Sequence, residues 1–453
     1  MKIQRVRVIN PVWDRCASKG IIQIGEKQVL KISFGPLVST AAEMDMFVYH
    51  MDGESLPHSR VCVAKIFDAD DVIWPILTRA KMGSLDSPQS YTVQNVYNNR
   101  FKARTAILID PATDSMKYEA HMREFSKCTE VHAELKRFAG RMQGYRDKKK
   151  KNGSRDAEGE SYEGRIKREY DEEWDMLMQG KNLALLSEII HKTIDSQFEF
   201  NADIGLPPVP VIDSLKMLEY TITVNRLALA HWPVDERDTA ATYLILAPEA
   251  FSDSNLMEKI IDYIRKAETK FIVIKFKNLE LDHRNKVDER LRMKDLLMAI
   301  SEVKHEHGDD RVFVALEAGI QSYLLAVGGF DIVSTSMTGY DGDYPFRRTN
   351  KTAINGYFDI STLLLRDDKY VRRMLEKGGF PHEGCVCSTV RDYTSASLDW
   401  YRIRREHYVK RMNELYAEIW EHIDSKTIEE CKARISRSSL SNLKHALPYL
   451  EYV

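Results

Sequence analysis

The chain has no excess of charge of either sign. Lys and Arg total 66 and Asp and Glu 68, a formal net charge of −2. That balance excludes a general electrostatic sponge for nucleic acid, although a local basic groove needs only an uneven distribution. No apolar run is long enough to cross a bilayer. Residues 1–10 carry basic side chains without the apolar core or small-residue cleavage site of a secretory signal. The expectation is a cytoplasmic protein with no membrane partner. Cysteine is scarce, six in 453 residues. Cys16, Cys62, Cys128 and Cys431 stand singly, which does not make a disulfide framework. Cys385 and Cys387 form the one close pair. A bridge between them would be strained, leaving metal binding or reduced thiols. A Gly-rich dinucleotide fingerprint is also missing.

What is present is a repeating pattern. Residues 1–100 read as a strand-rich α+β portion, with short apolar runs at 21–24, 29–34, 46–50 and 61–66. This portion either packs on the following domain or completes it. The run 105–110 (TAILID) suits a buried parallel strand and ends in Asp110-Pro111. Helical sequence is expected over 116–142. The segment 144–175 has few apolar residues and interleaves acids with bases, including KKKK at 148–151. It reads as a solvated helical or disordered excursion, its acids arguing against a phosphate-binding arm.

From 183 onward the alternation becomes regular. Helices are expected at 183–200, 213–227 (opened by an Asp213 cap), 254–266, 284–305, 321–327 and 363–377. Strands are expected at 203–212, 242–247 (TYLILA), 271–276 (FIVIKF), 311–316 (RVFVAL) and 330–335 (FDIVST). Repeated strand–helix units imply right-handed crossovers and a parallel sheet. The fold expected is an α/β, (β/α)8 TIM-like barrel over 101–380 with a charged insertion at 144–175. The N-terminal α+β portion precedes it, and a loop and C-terminal helical extension over 381–453 follow, including a long amphipathic helix at 395–420.

Barrel enzymes keep their sites at the C-terminal ends of the strands. The polar residues there are Asp110, Glu249, Lys275, Lys277, Glu317, Ser334, Thr335 and Ser336, with Tyr340 and Asp341 just beyond. In FIVIKF the alternation puts Val273, Lys275 and Lys277 on one face and Ile272, Ile274 and Phe276 on the other. Lys275 should therefore point inward and need a partner, with Glu317 on the neighbouring strand the obvious one. It is either a Schiff-base nucleophile or substrate clamp, or half of a structural ion pair. Asp110 is a candidate base or nucleophilic carboxylate, or a turn residue. Glu249, Lys277, Ser334, Thr335, Ser336, Tyr340 and Asp341 are candidate substrate contacts. His382, Cys385 and Cys387, with His407 on the following helix, can supply four tetrahedral ligands to a structural zinc; the alternative is two reduced thiols in a loop.

The stretch GGFPHEGCVCSTVRDYTSASLDWYRIRREHYVKRMNELY resembles the zinc-binding end of the tRNA-guanine transglycosylases, where a C-x-C-x-x-C loop precedes a Tyr-containing segment and a helix with a zinc-binding His. Cys385 and Cys387 match the C-x-C, Tyr393 fits the segment, and His407 is the candidate His. AVGGFDIVSTS at 326–336 is similar to that family's late barrel strand. The third family Cys falls on Val390, and the nucleophile motif, Asp followed by Ser-Gly-Gly-Phe-Gln, is absent. The resemblance implies a (β/α)8 barrel with a late zinc element. It also implies binding or exchange of a (7-deaza)guanine base in RNA or DNA. Exchange needs a carboxylate at the sugar, a role for which Asp110 or Glu317 is a candidate by strand-end position alone, the motif carrying neither over. Two other expectations compete: a barrel lyase or aldolase using Lys275 on a small carbonyl or phosphorylated substrate, and a non-catalytic binding or scaffold subunit.

Overall fold

The computed structural model describes residues 20–38, 56–65, 105–111, 162–199, 202–232, 238–277, 287–307, 310–318, 322–336, 357–359, 364–366 and 398–421, with positions 373, 376 and 433. Its centre is one sheet of eight parallel strands. Two of them come from the first hundred residues, so that portion completes the sheet: β3 (Ser33–Val38) and β4 (Val61–Lys65). The others are β5 (Ala106–Asp110), β6 (Val211–Ile212), β7 (Ala241–Leu246), β8 (Phe271–Phe276), β9 (Val312–Leu316) and β10 (Ile332–Ser336). The spatial order is β5-β4-β3-β10-β9-β8-β7-β6, every pairing parallel. Two antiparallel hairpins stand apart, β1 (Ile21–Ile24) with β2 (Lys27–Leu30), and β11 (Tyr357–Asp359) with β12 (Leu364–Arg366).

The sheet is curled. In a flat sheet β5 would lie five strand spacings from β8, about 24 Å at ~4.8 Å each. Instead the Asp110 carboxylate of β5 lies 2.6 Å from Lys275 Nζ of β8 and accepts a 2.9 Å hydrogen bond from Tyr243 of β7. The edges also approach each other through 203–205. Asp203 N–H donates to the Ile107 carbonyl, an isolated parallel bridge pairs Leu108 with Ile204, and Gly205 N–H donates to the Thr239 carbonyl beside β7.

Strand alternation divides the core into two clusters. Ile107, Leu244, Ile272, Ile274, Phe276, Phe313 and Val333 face the helices. Leu108, Tyr243, Ile245, Val273, Val314, Leu316 and Ile332 face inward, joined by hairpin residues Ile22, Ile24 and Val29. The two-residue period of FIVIKF therefore assigns its faces as expected.

The helices are α1 (Tyr162–Leu177), α2 (Leu183–Glu199), α3 (Leu215–His231), α4 (Pro248–Ser252), α5 (Ser254–Arg265), α6 (Val287–His307), α7 (Ser322–Val327) and α8 (Leu398–Glu421). On α5 the stripe Leu256, Ile260, Ile261 and Ile264 is buried, and the Asp253 carboxylate caps the helix by accepting from Asn255 and Leu256 N–H. On α8, Tyr408, Met412, Leu415, Tyr416 and Ile419 are buried. The helix docks on Phe34 through the rings of Tyr408 and Tyr416.

Four expectations need correction. The charged excursion is not solvated throughout, because its last part is α1, whose Tyr170 and Trp174 are buried at i and i+4; two aromatics are enough to dock a helix whose other face is charged. The cap of α3 is Ser214, which accepts from Met217 N–H, while Asp213 pairs with Lys167 on α1. The expected strand over 203–212 shrinks to two residues because Pro207, Pro208 and Pro210 have no N–H to donate. Side chains serve the backbone instead: Gln197 bonds both the N–H and the carbonyl of Leu206, and Val211 N–H donates to Tyr170. Residues 364–366, expected to open a helix, form β12. The expected strand at 46–50 and helix at 116–142 lie outside the described residues.

Candidate active site

Parallel strands bring all their C-terminal ends to one side, and the polar residues gather there. Asp110 closes β5, Lys275 is the penultimate residue of β8, Lys277 follows β8, and Glu317 follows β9. The four are between 0% and 3% exposed. Lys275 Nζ lies 2.6 Å from Asp110 Oδ2 and 3.4 Å from Glu317 Oε1. Lys277 Nζ pairs with Glu317 Oε2 at 2.5 Å. The sequence pointed Lys275 to Glu317, its neighbour across β9. The closer partner is Asp110, which only the curl of the sheet brings within reach.

Glu317 reaches the cluster by leaving the strand pattern. Leu316 before it faces inward and Ala318 after it packs with the helix-facing cluster. Glu317 itself has φ 53°, in the left-handed region. A non-glycine residue there is uncommon and costs on the order of 1 kcal/mol or more. The turn aims the carboxylate back over the strand ends, and two lysine ammonium groups meet it.

Tyr243 belongs to the site and was not singled out in the sequence. It lies on β7 in register with Val273, one inward position below Lys275. Its hydroxyl rises to donate to Asp110 Oδ1 at 2.9 Å. Asn225 of α3 holds its backbone, accepting from Tyr243 N–H and donating to its carbonyl, both at 2.9 Å. The signal was present in TYLILA: the one aromatic among aliphatic residues, a body suited to the interior with a polar tip that needs a partner.

The remaining candidates divide. Ser334 shares the inward face of β10 with Ile332, is fully buried, and its Oγ has no hydrogen-bond partner among the described residues. Thr335, also buried, alternates to the side of Val333. Glu249 is exposed in the first turn of α4. The Ser336 side chain, Tyr340 and Asp341 lie outside the described residues.

Of the candidate zinc ligands, His382, Cys385 and Cys387 lie outside the described residues. His407 is fully buried on α8, and its Nε2 lies 2.7 Å from the Phe358 carbonyl. A carbonyl only accepts, so Nε2 carries the proton. Among the described residues no group of three or more His, Cys, Asp or Glu is placed to hold a metal. No helix among them is long and apolar enough to cross a membrane.

A cleft of about 610 Å³ lies elsewhere, between α3 and α5, lined by Arg226, Lys259, Tyr263, Thr242 and Thr269. Thr242 and Thr269 stand at the N-terminal ends of β7 and β8, opposite the ionic cluster. The comparisons with protein-family models and with curated proteins find no match for this chain.

Proposed function

We propose that the chain is a barrel enzyme that engages a small carbonyl compound through Lys275, in lyase or aldolase chemistry. The eight-stranded sheet is taken as closed through 203–212, whose backbone reaches both edges. The observation that carries the reading is the Lys275 ammonium, fully buried at the strand ends, 2.6 Å from one carboxylate and 3.4 Å from a second. Burying such pairs stabilises a fold little, and apolar residues of equal volume often do better. Their concentration at the C-terminal strand ends, with a left-handed residue among them, favours a chemical role.

The chemistry follows from the contacts. Asp110 accepts a proton from the Lys275 ammonium, leaving a neutral amine and a carboxylic acid. The amine attacks a substrate carbonyl carbon, and the ammonium proton of the resulting zwitterion passes to its oxyanion, giving a neutral carbinolamine. Asp110 returns its proton to the hydroxyl as water departs, leaving an iminium ion and the Asp110 carboxylate. The β-hydroxyl of the bound substrate then gives its proton to the regenerated Asp110 carboxylate and becomes a carbonyl, while the Cα–Cβ bond breaks and its electron pair passes to the iminium, leaving an enamine on Lys275. Tyr243 holds Asp110 in place through Oδ1.

The transglycosylase-like alternative is less supported. It needs a carboxylate able to attack a sugar carbon, whereas Asp110 has Oδ1 bonded to Tyr243 and Oδ2 paired with Lys275.

Borohydride reduction in the presence of small aldehydes and ketones tests the proposal. The expected result is a covalent adduct on the Lys275 peptide by mass spectrometry, lost in Lys275→Met. Absence of an adduct with every carbonyl tried, in folded wild-type protein, overturns it.

A further inference from the structure

We infer that the substrate carries a neutral oxygen, a hydroxyl or second carbonyl, next to the reacting carbonyl, and that Ser334 binds it. The inference rests on the Lys275 reading. Three observations lead to it.

First, Ser334 is placed in the layer of Lys275. Lys275 pairs with Leu316 across β8 and β9, and Ile332 pairs with Val314 across β9 and β10. Two residues further along, Ser334 comes level with Leu316 and therefore with Lys275. Lys275, Leu316 and Ser334 thus form one inward-facing row on three adjacent strands, with ~4.8 Å between strands. Lys275 and Ser334 are two strands apart on the same inward face.

Second, Ser334 Oγ is completely buried and makes no hydrogen bond among the described residues. Buried hydroxyls are nearly always bonded, and an exception calls for an explanation. Alanine at this position would avoid the desolvation penalty. A ligand oxygen supplies what the fold does not.

Third, among the described residues formal charge within the cluster cancels. Lys275 and Lys277 face Asp110 and Glu317, two positive groups against two negative, each lysine paired with a carboxylate. A phosphate or second carboxylate would have to displace a paired carboxylate from its lysine. A neutral oxygen meets no such opposition, and Ser334 can donate to it or accept from it. On β3 the position paired with Ser334 is Gly35, so no side chain from that strand competes for Oγ.

Borohydride trapping of matched pairs tests the inference: dihydroxyacetone against acetone, and glycolaldehyde against acetaldehyde, with wild type and Ser334→Ala under identical conditions. Removing an unpartnered buried hydroxyl leaves the fold stable, and thermal unfolding checks this. In the wild type the hydroxylated member should be trapped on Lys275 in greater yield than its partner. Ser334→Ala should lower that ratio about tenfold, the worth of one hydrogen bond of ~1.4 kcal/mol. An equal ratio in the two proteins, with adducts still forming on Lys275, overturns the role of Ser334 and leaves the lysine reading standing. Absence of adducts from both members of both pairs in the wild type overturns the two together.

Discussion

Lys275 and Asp110 show how little a buried charge pair can be treated residue by residue. Each is completely enclosed, and removing one leaves the other without its closest counter-charge. Lys275→Met should therefore destabilise the protein by about 3 kcal/mol or more. Asp110→Asn should also be costly, because Tyr243 and Lys275 both lose an anionic partner. In the double variant the remaining groups suffer less, so the two costs should be strongly non-additive. Urea titration of the four proteins measures this coupling. Additive costs would mean that the two side chains do not sense each other. The Cys62 thiol is a simpler residue-scale case: burial pushes it far up, which keeps it an unreactive apolar filler.

At the scale of elements, the structure depends on side chains that serve another segment's backbone. His58, in the short 3-10 turn Pro57–Ser59, is one. Its N–H donates to Asn413 of α8, its Nδ1 lies 3.1 Å from the Ile32 carbonyl, and its ring meets Trp420 edge-on. Burial, the largest influence, pulls the His58 pKa below 6.5. The folded state thus resists a proton that the unfolded chain accepts. The contribution is complete above pH ~6.5 and is lost as pH falls toward the lowered value. His58→Asn, which keeps a donor and does not titrate, should flatten the decline in stability between pH 7 and 5. Denaturation midpoints at several pH values measure it, and parallel pH profiles for wild type and variant would remove His58 as a cause. Gly205 marks a second such place. A Cβ there would come within 2.5 Å of the Trp232 ring and 3.1 Å of Phe198. Neither ring is a flexible end able to swing aside, so Gly205→Ala should cost about 1–3 kcal/mol. Thermal unfolding reads that loss, and an unchanged midpoint would mean the rings have room to yield.

For the whole molecule, the curl of the sheet is what turns separate strand ends into a site. Asp110 is on one edge strand, and its partners Tyr243 and Lys275 are on the two strands nearest the other edge. The segment 203–205 links the same two edges, with the Asp203 carboxylate accepting from Ile107 N–H at 2.7 Å and from Lys27 of the β1–β2 hairpin at 2.6 Å. A change at Gly205 therefore acts on a seam, and its effect should extend to the adduct yield at Lys275 as well as to stability.

Much of this was legible in the order of residues. Short aliphatic runs spaced by amphipathic helices specify parallel strands, because each strand must be covered on both faces and crossovers have one hand. The two-residue period placed Val273 and Lys275 on one face of FIVIKF, and the apolar stripe Leu256, Ile260, Ile261 and Ile264 placed α5 nearly to the residue. The membership of β3 and β4 was not legible, since a short apolar run does not announce which strand it pairs with. Neither was the pairing of Asp110 with Lys275, 165 positions apart. Nor was the left-handed turn that redirects Glu317 against its strand's alternation. Local periodicity decides which way a side chain leaves its own strand. Which side chain it then meets depends on how far the sheet bends, and that is a property of all eight strands together.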